Sequence, residues 1–184
     1  MKINRSIIGA LVGGLILFIW QSLSQVAFNL HESDQQYTAA QETILSELAE
    51  QLKKPGGYML PRMAPGQPME AMEAFTKNAT GKPWAAIRYY DAFEMNWGMS
   101  LARSLTIDIF VVFLLIWIIN QFRLPTQRSI FILCLFVGLI GFSNEAYLEH
   151  VWYPMFDIRI RLLDAFVSWG LCGVWLGYWL NRRV

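Results

Sequence analysis

Apolar residues run almost unbroken through four stretches of this chain, and polar residues gather in one long segment between the first stretch and the second. The first stretch, residues 7–30, opens with the wholly apolar run IIGALVGGLILFIW. It continues as QSLSQVAFNL, where Gln21, Ser24, Gln25 and Asn29 recur at helical spacing. At about 1.5 Å per residue it reaches about 36 Å, enough for a hydrocarbon core of about 30 Å. Gly9 and Gly13 form a small-xxx-small pair suited to close helix packing. A cleaved signal peptide is the rival reading, with Ser22-Leu23-Ser24 as a poor cleavage site. The polar stripe that follows favours a retained helix whose stripe faces other helices.

The second stretch, residues 104–122, is rich in Ile, Val, Leu and Phe and is broken only by Asp108. Residues 123–128 make a tight turn, so the second and third spans are expected to form an antiparallel hairpin. The third, residues 129–148, has a purely apolar part, IFILCLFVGLIGF, that is too short to cross alone. It must extend through Ser143, Asn144 and Glu145. The fourth, residues 161–180, carries Asp164 one turn inside its start and a second close-packing pair, Gly173-xxx-Gly177. The predicted fold is therefore an all-α membrane protein: a four-transmembrane-helix bundle with a mostly helical extracytoplasmic domain, residues 31–100, between helices one and two.

Within that polar segment, Ser33 and Gln36 have capping-box spacing, and Tyr37, Ala40, Ile44, Leu48 and Leu52 follow at helical intervals. This predicts an amphipathic helix ending near Lys54, before Pro55-Gly56-Gly57. Residues 68–77 suit a short helix with Pro68 at its first position. Residues 84–90, WAAIRYY, are β-prone and can pair with residues 58–60 as a small β-hairpin. Asp91 and Glu94 repeat the capping-box pattern and predict the start of the helix that enters the membrane.

Charge adds an orientation. The chain is 55% hydrophobic and 16% charged with a net charge of +1, so no basic surface suits nucleic acid. Lys2 and Arg5, Arg123 and Arg128, and Arg182 and Arg183 all fall on one side of a four-span chain. By the positive-inside rule that side, with both termini, is cytoplasmic, and the polar segment is extracytoplasmic. Trp175, Tyr178 and Trp179, with Trp152 and Tyr153, fall at interfacial positions. Cys134 and Cys172 both sit in apolar runs and read as packing residues.

Three constellations could carry chemistry. Asp108, Glu145 and Asp164 lie just inside three different spans, with Arg103, Arg159 and Arg161 nearby. Charges in lipid usually face the bundle and pair, so this outer-leaflet ionic cluster is expected to clamp spans two, three and four; a proton or ion relay is the sharper alternative. Glu149 and His150, with His31 at the same boundary, are weak candidates for a divalent metal. Met59, Met63, Met69 and Met72 crowd one loop, where thioethers suit copper(I) or, more plainly, an adaptable contact surface. No nucleophile has a base beside it in sequence, and no nucleotide loop occurs. The four-span layout resembles those of claudin-like proteins and of quinone-coupled disulfide oxidoreductases, in topology alone. The Trp-Gly-Leu-Trp signature of the first and the redox cysteine pairs of the second are missing.

The functional expectation is a small inner-membrane accessory, assembly or scaffold protein, not an enzyme. No cofactor is expected, with copper as the weak alternative. Residues 58–72 and 84–90 would contact a membrane or periplasmic protein partner, or the chain would form a homo-oligomer. The alternative is a metal-handling or ion- and proton-handling membrane protein of a bacterial envelope.

Overall fold

A computed structural model describes residues 3–121 and 125–182, so Lys2, Phe122, Arg123 and Arg183 lie outside the described residues. The chain is mostly helical, and four of its helices are long and apolar enough to cross a membrane, which marks a multi-pass membrane protein. Helix α1 covers Ile3–Ser22 and continues as a π-helical turn, Leu23–Ala27. Asn29, at φ 48°, ends it in the left-handed region that asparagine tolerates better than most residues. Helix α4 covers Trp97–Ile119, α5 covers Gln127–Phe142, and α7 covers Ile158–Asn181. The third span does run on through Ser143, Asn144 and Glu145, as a π-helical turn, Ser143–Tyr147, and the short helix α6, Leu148–Trp152.

Contact clustering divides the chain into two units. One comprises Met1–Gln36 with Asn96–Val184 and holds all four spans. Within it α1 packs on α4 and on α7, and α7 packs on α5. Glycines set these approaches. A Cβ on Gly14 would lie 2.6 Å from the Ile109 backbone, and one on Gly177 would lie 2.8 Å from the Gln127 side chain. Gly9 faces Ile116 and Trp179, Gly13 faces Val112 and Cys172, and Gly173 faces Phe131 and Cys134. Both predicted glycine pairs thus lie where neighbouring helices meet. Val112, Leu115, Ile116, Ile130, Cys134, Cys172 and Leu176 form the core, and both cysteines are free.

The other unit, Tyr37–Met95, contains helix α2 (Gln41–Gln51), strand β1 (Gly56–Leu60), helix α3 (Ala71–Ala79) and strand β2 (Ala85–Tyr89). The strands pair antiparallel, with Tyr58 opposite Ile87. They are the two segments expected to pair, although α3 lies between them in sequence.

Three predicted helix starts move: helix α3 begins at Ala71, three residues past Pro68, and α2 and α4 also begin later than expected. Helix α2 begins at Gln41 and not after Ser33, because residues 29–36 are committed elsewhere: Asp34 accepts the Phe156 backbone N–H (3.3 Å) and faces Arg161 (3.7 Å). Helix α4 begins at Trp97 and not at Asp91, because Asn96 is its cap and accepts the Met99 N–H at 3.0 Å.

Candidate functional site

Helices α1 and α7 run antiparallel, and their meeting is hydrogen-bonded at both ends. At one end the Trp179 indole donates to the Arg5 carbonyl (2.9 Å), the Trp175 indole donates to the Gly9 carbonyl (3.3 Å), and Arg5 donates back to the Trp179 carbonyl. The other end is built from ionisable side chains. Spacing explains which α1 residues reach it. Trp20 and Ser24 are four apart and share a face, which α1 turns toward α7; Gln21, next in sequence, reaches α4.

His31 stands at the centre. Its Nδ1 lies 2.7 Å from Asp157 Oδ2 and its Nε2 lies 2.8 Å from Asp164 Oδ2. Asp164 also accepts from the Ser24 hydroxyl (2.8 Å) and the Trp20 indole (3.0 Å). Asp157 accepts from Arg161 Nε at 2.8 Å, one turn along α7. Its centre is buried, with Ser24 0%, Asp157 1% and His31 4% exposed, while the Asp164 and Arg161 side chains are partly exposed. Burial alone would raise the Asp157 carboxyl, but hydrogen bonds from Arg161 and His31, together with their charges, hold it below the usual carboxylate value.

Carboxylates only accept hydrogen bonds, so a ring with a carboxylate oxygen at each nitrogen must donate from both. That requires an imidazolium, or a proton on one of the two carboxyls.

Ser24 Oγ is also 3.3 Å from His31 Nε2, so Ser24, His31 and Asp157 stand in the order of nucleophile, base and orienting acid. Two features set the arrangement apart from a hydrolase. Ser24 is fully buried, and the Asp164 carboxylate lies against its hydroxyl, where acyl transfer would need donors for a developing oxyanion. The geometry is that of a charged clasp tying residues 24–34 to the start of α7.

The six residues of the expected ionic cluster separate. Asp164 is in the clasp, but its partner is His31 rather than an arginine. Arg161 pairs instead with Asp157 and Asp34, since the i,i+4 spacing on α7 favours Asp157. Asp108 is 8% exposed and accepts from Gln21 Nε2 at 3.2 Å, while its Oδ2 has no hydrogen-bond partner among the described residues. Glu145, Arg103 and Arg159 are exposed, and none makes an ion pair among the described residues.

His31, a weak metal candidate from the sequence, lies between Asp157 and Asp164. His150 accepts the Met155 backbone N–H through Nδ1 (2.9 Å). Met59 lies on β1, Met63 in the loop after it, and Met72 in α3; Met69 and Met72 are exposed. Among the described residues no three His, Cys, Asp or Glu side chains are grouped to hold a metal ion. Sequence reasoning missed Trp20, Ser24, Asp34 and Asp157. The polar stripe of α1 was the one available signal, since Gln21 and Ser24 both belong to it. No protein-family model, no curated protein and no solved structure matches this chain.

Proposed function

We propose that this chain is a membrane-embedded accessory, assembly or scaffold protein, not an enzyme, whose polar unit binds a protein partner. One observation carries the reading. No side chain of Tyr37–Met95 is buried, and Tyr37, Leu45, Met69, Trp84, Tyr90 and Phe93 are exposed. Uncovered apolar side chains in such number are the mark of a surface that another molecule covers. Residues 58–72 and 84–90, which include both strands, are the contact segments. The basic residues of the termini and of the turn at 123–128 favour a cytoplasmic side for both termini, which leaves Tyr37–Met95 outside, in a bacterial inner membrane.

A photo-crosslinking residue placed at Met69 or Trp84 is expected to give one discrete protein adduct, and one placed at Glu47 none. Diffuse or equal adducts at all three sites refute the contact surface. Cysteines introduced at Ser46 and Thr126 are expected to react with an impermeant reagent from opposite faces of the membrane; equal labelling in intact cells refutes the orientation. Proton or ion handling is the second reading, favoured by the His31–Asp157–Asp164 cluster and by the buried Asp108.

A further inference from the structure

Asp108 lies at the middle of α4, the twelfth of its 23 residues, with about 16 Å of helix on either side. The apolar stretch alone puts it near an edge, but the helix begins seven residues before that stretch. Its side chain is buried, and its two oxygens differ. Oδ1 accepts from Gln21 Nε2, while Oδ2 is shut off from solvent and has no hydrogen-bond partner among the described residues. The surroundings are apolar. Gly9 lies against Ile116 and Gly13 against Val112, and the same progression brings Leu17, also buried, level with Asp108. Val112, one turn along α4, is fully buried as well.

No base offsets a charge at this point. Helix α4 packs mainly on α1. On α1 the one charged residue among those described is Arg5, which bonds the Trp179 and Arg182 carbonyls at the far end. The other charged residue of α4 is Arg103, which is exposed. Beyond these helices, His31 bonds Asp157 and Asp164, and Arg161 bonds Asp157. No ion pair among the described residues includes Asp108. An ionised carboxylate here would have one donor, no counter-charge and no solvent contact at Oδ2. An acid in such a place takes up a proton, since burying an unpaired charge costs far more than burying a neutral group. A proton also adds almost no volume, where any metal ion would have to push side chains apart.

We propose that Asp108 is a proton-binding site within the membrane: at neutral pH its carboxyl carries a proton on Oδ2, while Oδ1 accepts from Gln21. The neutral form suits the apolar seam between α1 and α4. The acid can release its proton, which an asparagine of the same size cannot. The inference deepens the proton-handling reading, and the use of the proton rests on that reading; the proton's presence does not.

The test is infrared difference spectroscopy on the full chain in lipid vesicles at pH 7. A protonated carboxyl gives a C=O stretch at higher frequency than the carboxylate bands, and that stretch moves down in heavy water. Subtracting the Asp108→Asn spectrum from the parent's should leave one such band, with the carboxylate bands unchanged. A parent with no carboxylic band at all overturns the proposal, and this measurement needs no variant. So does a parent whose carboxylic bands all persist in Asp108→Asn, or a variant that loses intensity from the carboxylate bands instead. Proton handling is tested apart, in vesicles that hold the full chain and a trapped pH-sensitive dye. After an external acid pulse the interior should acidify faster with the parent than with Asp108→Asn. Equal rates alongside the carboxylic band would refute proton handling while bearing out the protonated site.

Discussion

The two ends of the α1–α7 contact solve one problem by different chemistry. Near Arg5, two indole N–H groups and one guanidinium meet backbone carbonyls, and nothing there changes charge between pH 3 and 9. Near Ser24, an imidazole, two carboxylates and a guanidinium meet one another in a half-buried cluster. Both ends hold the same two helices. The first rests on backbone carbonyls, and the second on ionisable side chains, among them Asp157 with its lowered pKa. Any response of this seam to acidity must therefore arise at the Ser24 end.

The largest effect should come from His31→Ala. It leaves Asp157 and Asp164 without the imidazole that hydrogen-bonds both, and breaking a buried pair costs about 3–5 kcal/mol, less where water reaches Asp164. Thermal unfolding in detergent should show that drop, and adding Asp164→Asn should recover part of it. Strict additivity of the two changes would mean that His31 and Asp164 are not coupled.

A smaller effect follows from Asp157. Its folded pKa lies below the ordinary carboxylate value, so its contribution is complete above that value and is lost as pH falls through the lowered one. The parent melting temperature should decline from about pH 5 to pH 3, and Asp157→Asn should start lower and flatten that decline. An identical pH slope in both proteins would remove Asp157 from the account.

The smallest effect belongs to the other end. Trp179→Phe removes one indole donor while keeping an aromatic ring, at a cost of about 1 kcal/mol that should be the same at pH 4 and pH 8. A pH-dependent loss there would erase the contrast between the ends.

Apolar run length and glycine spacing by themselves determined the four spans, the passage of the third through Ser143–Glu145, and the faces on which helices meet. The reason is local: helical period and membrane thickness act on contiguous residues. The β-prone segments at 58–60 and 84–90 were legible for the same reason. The partners of the charged residues were decided only by tertiary structure. His31 is 126 positions from Asp157 and 133 from Asp164, and no periodicity links them. Sequence placed Asp164 near three arginines, but the crossing of α1 on α7 delivered Trp20, Ser24 and His31 to it instead. Asp34 was taken up in the same way, which is why the Ser33 capping pattern starts no helix. Local signals fix which segments become helices; the rotation of each helix about its own axis selects which polar groups meet, and that rotation is set by packing across the whole bundle.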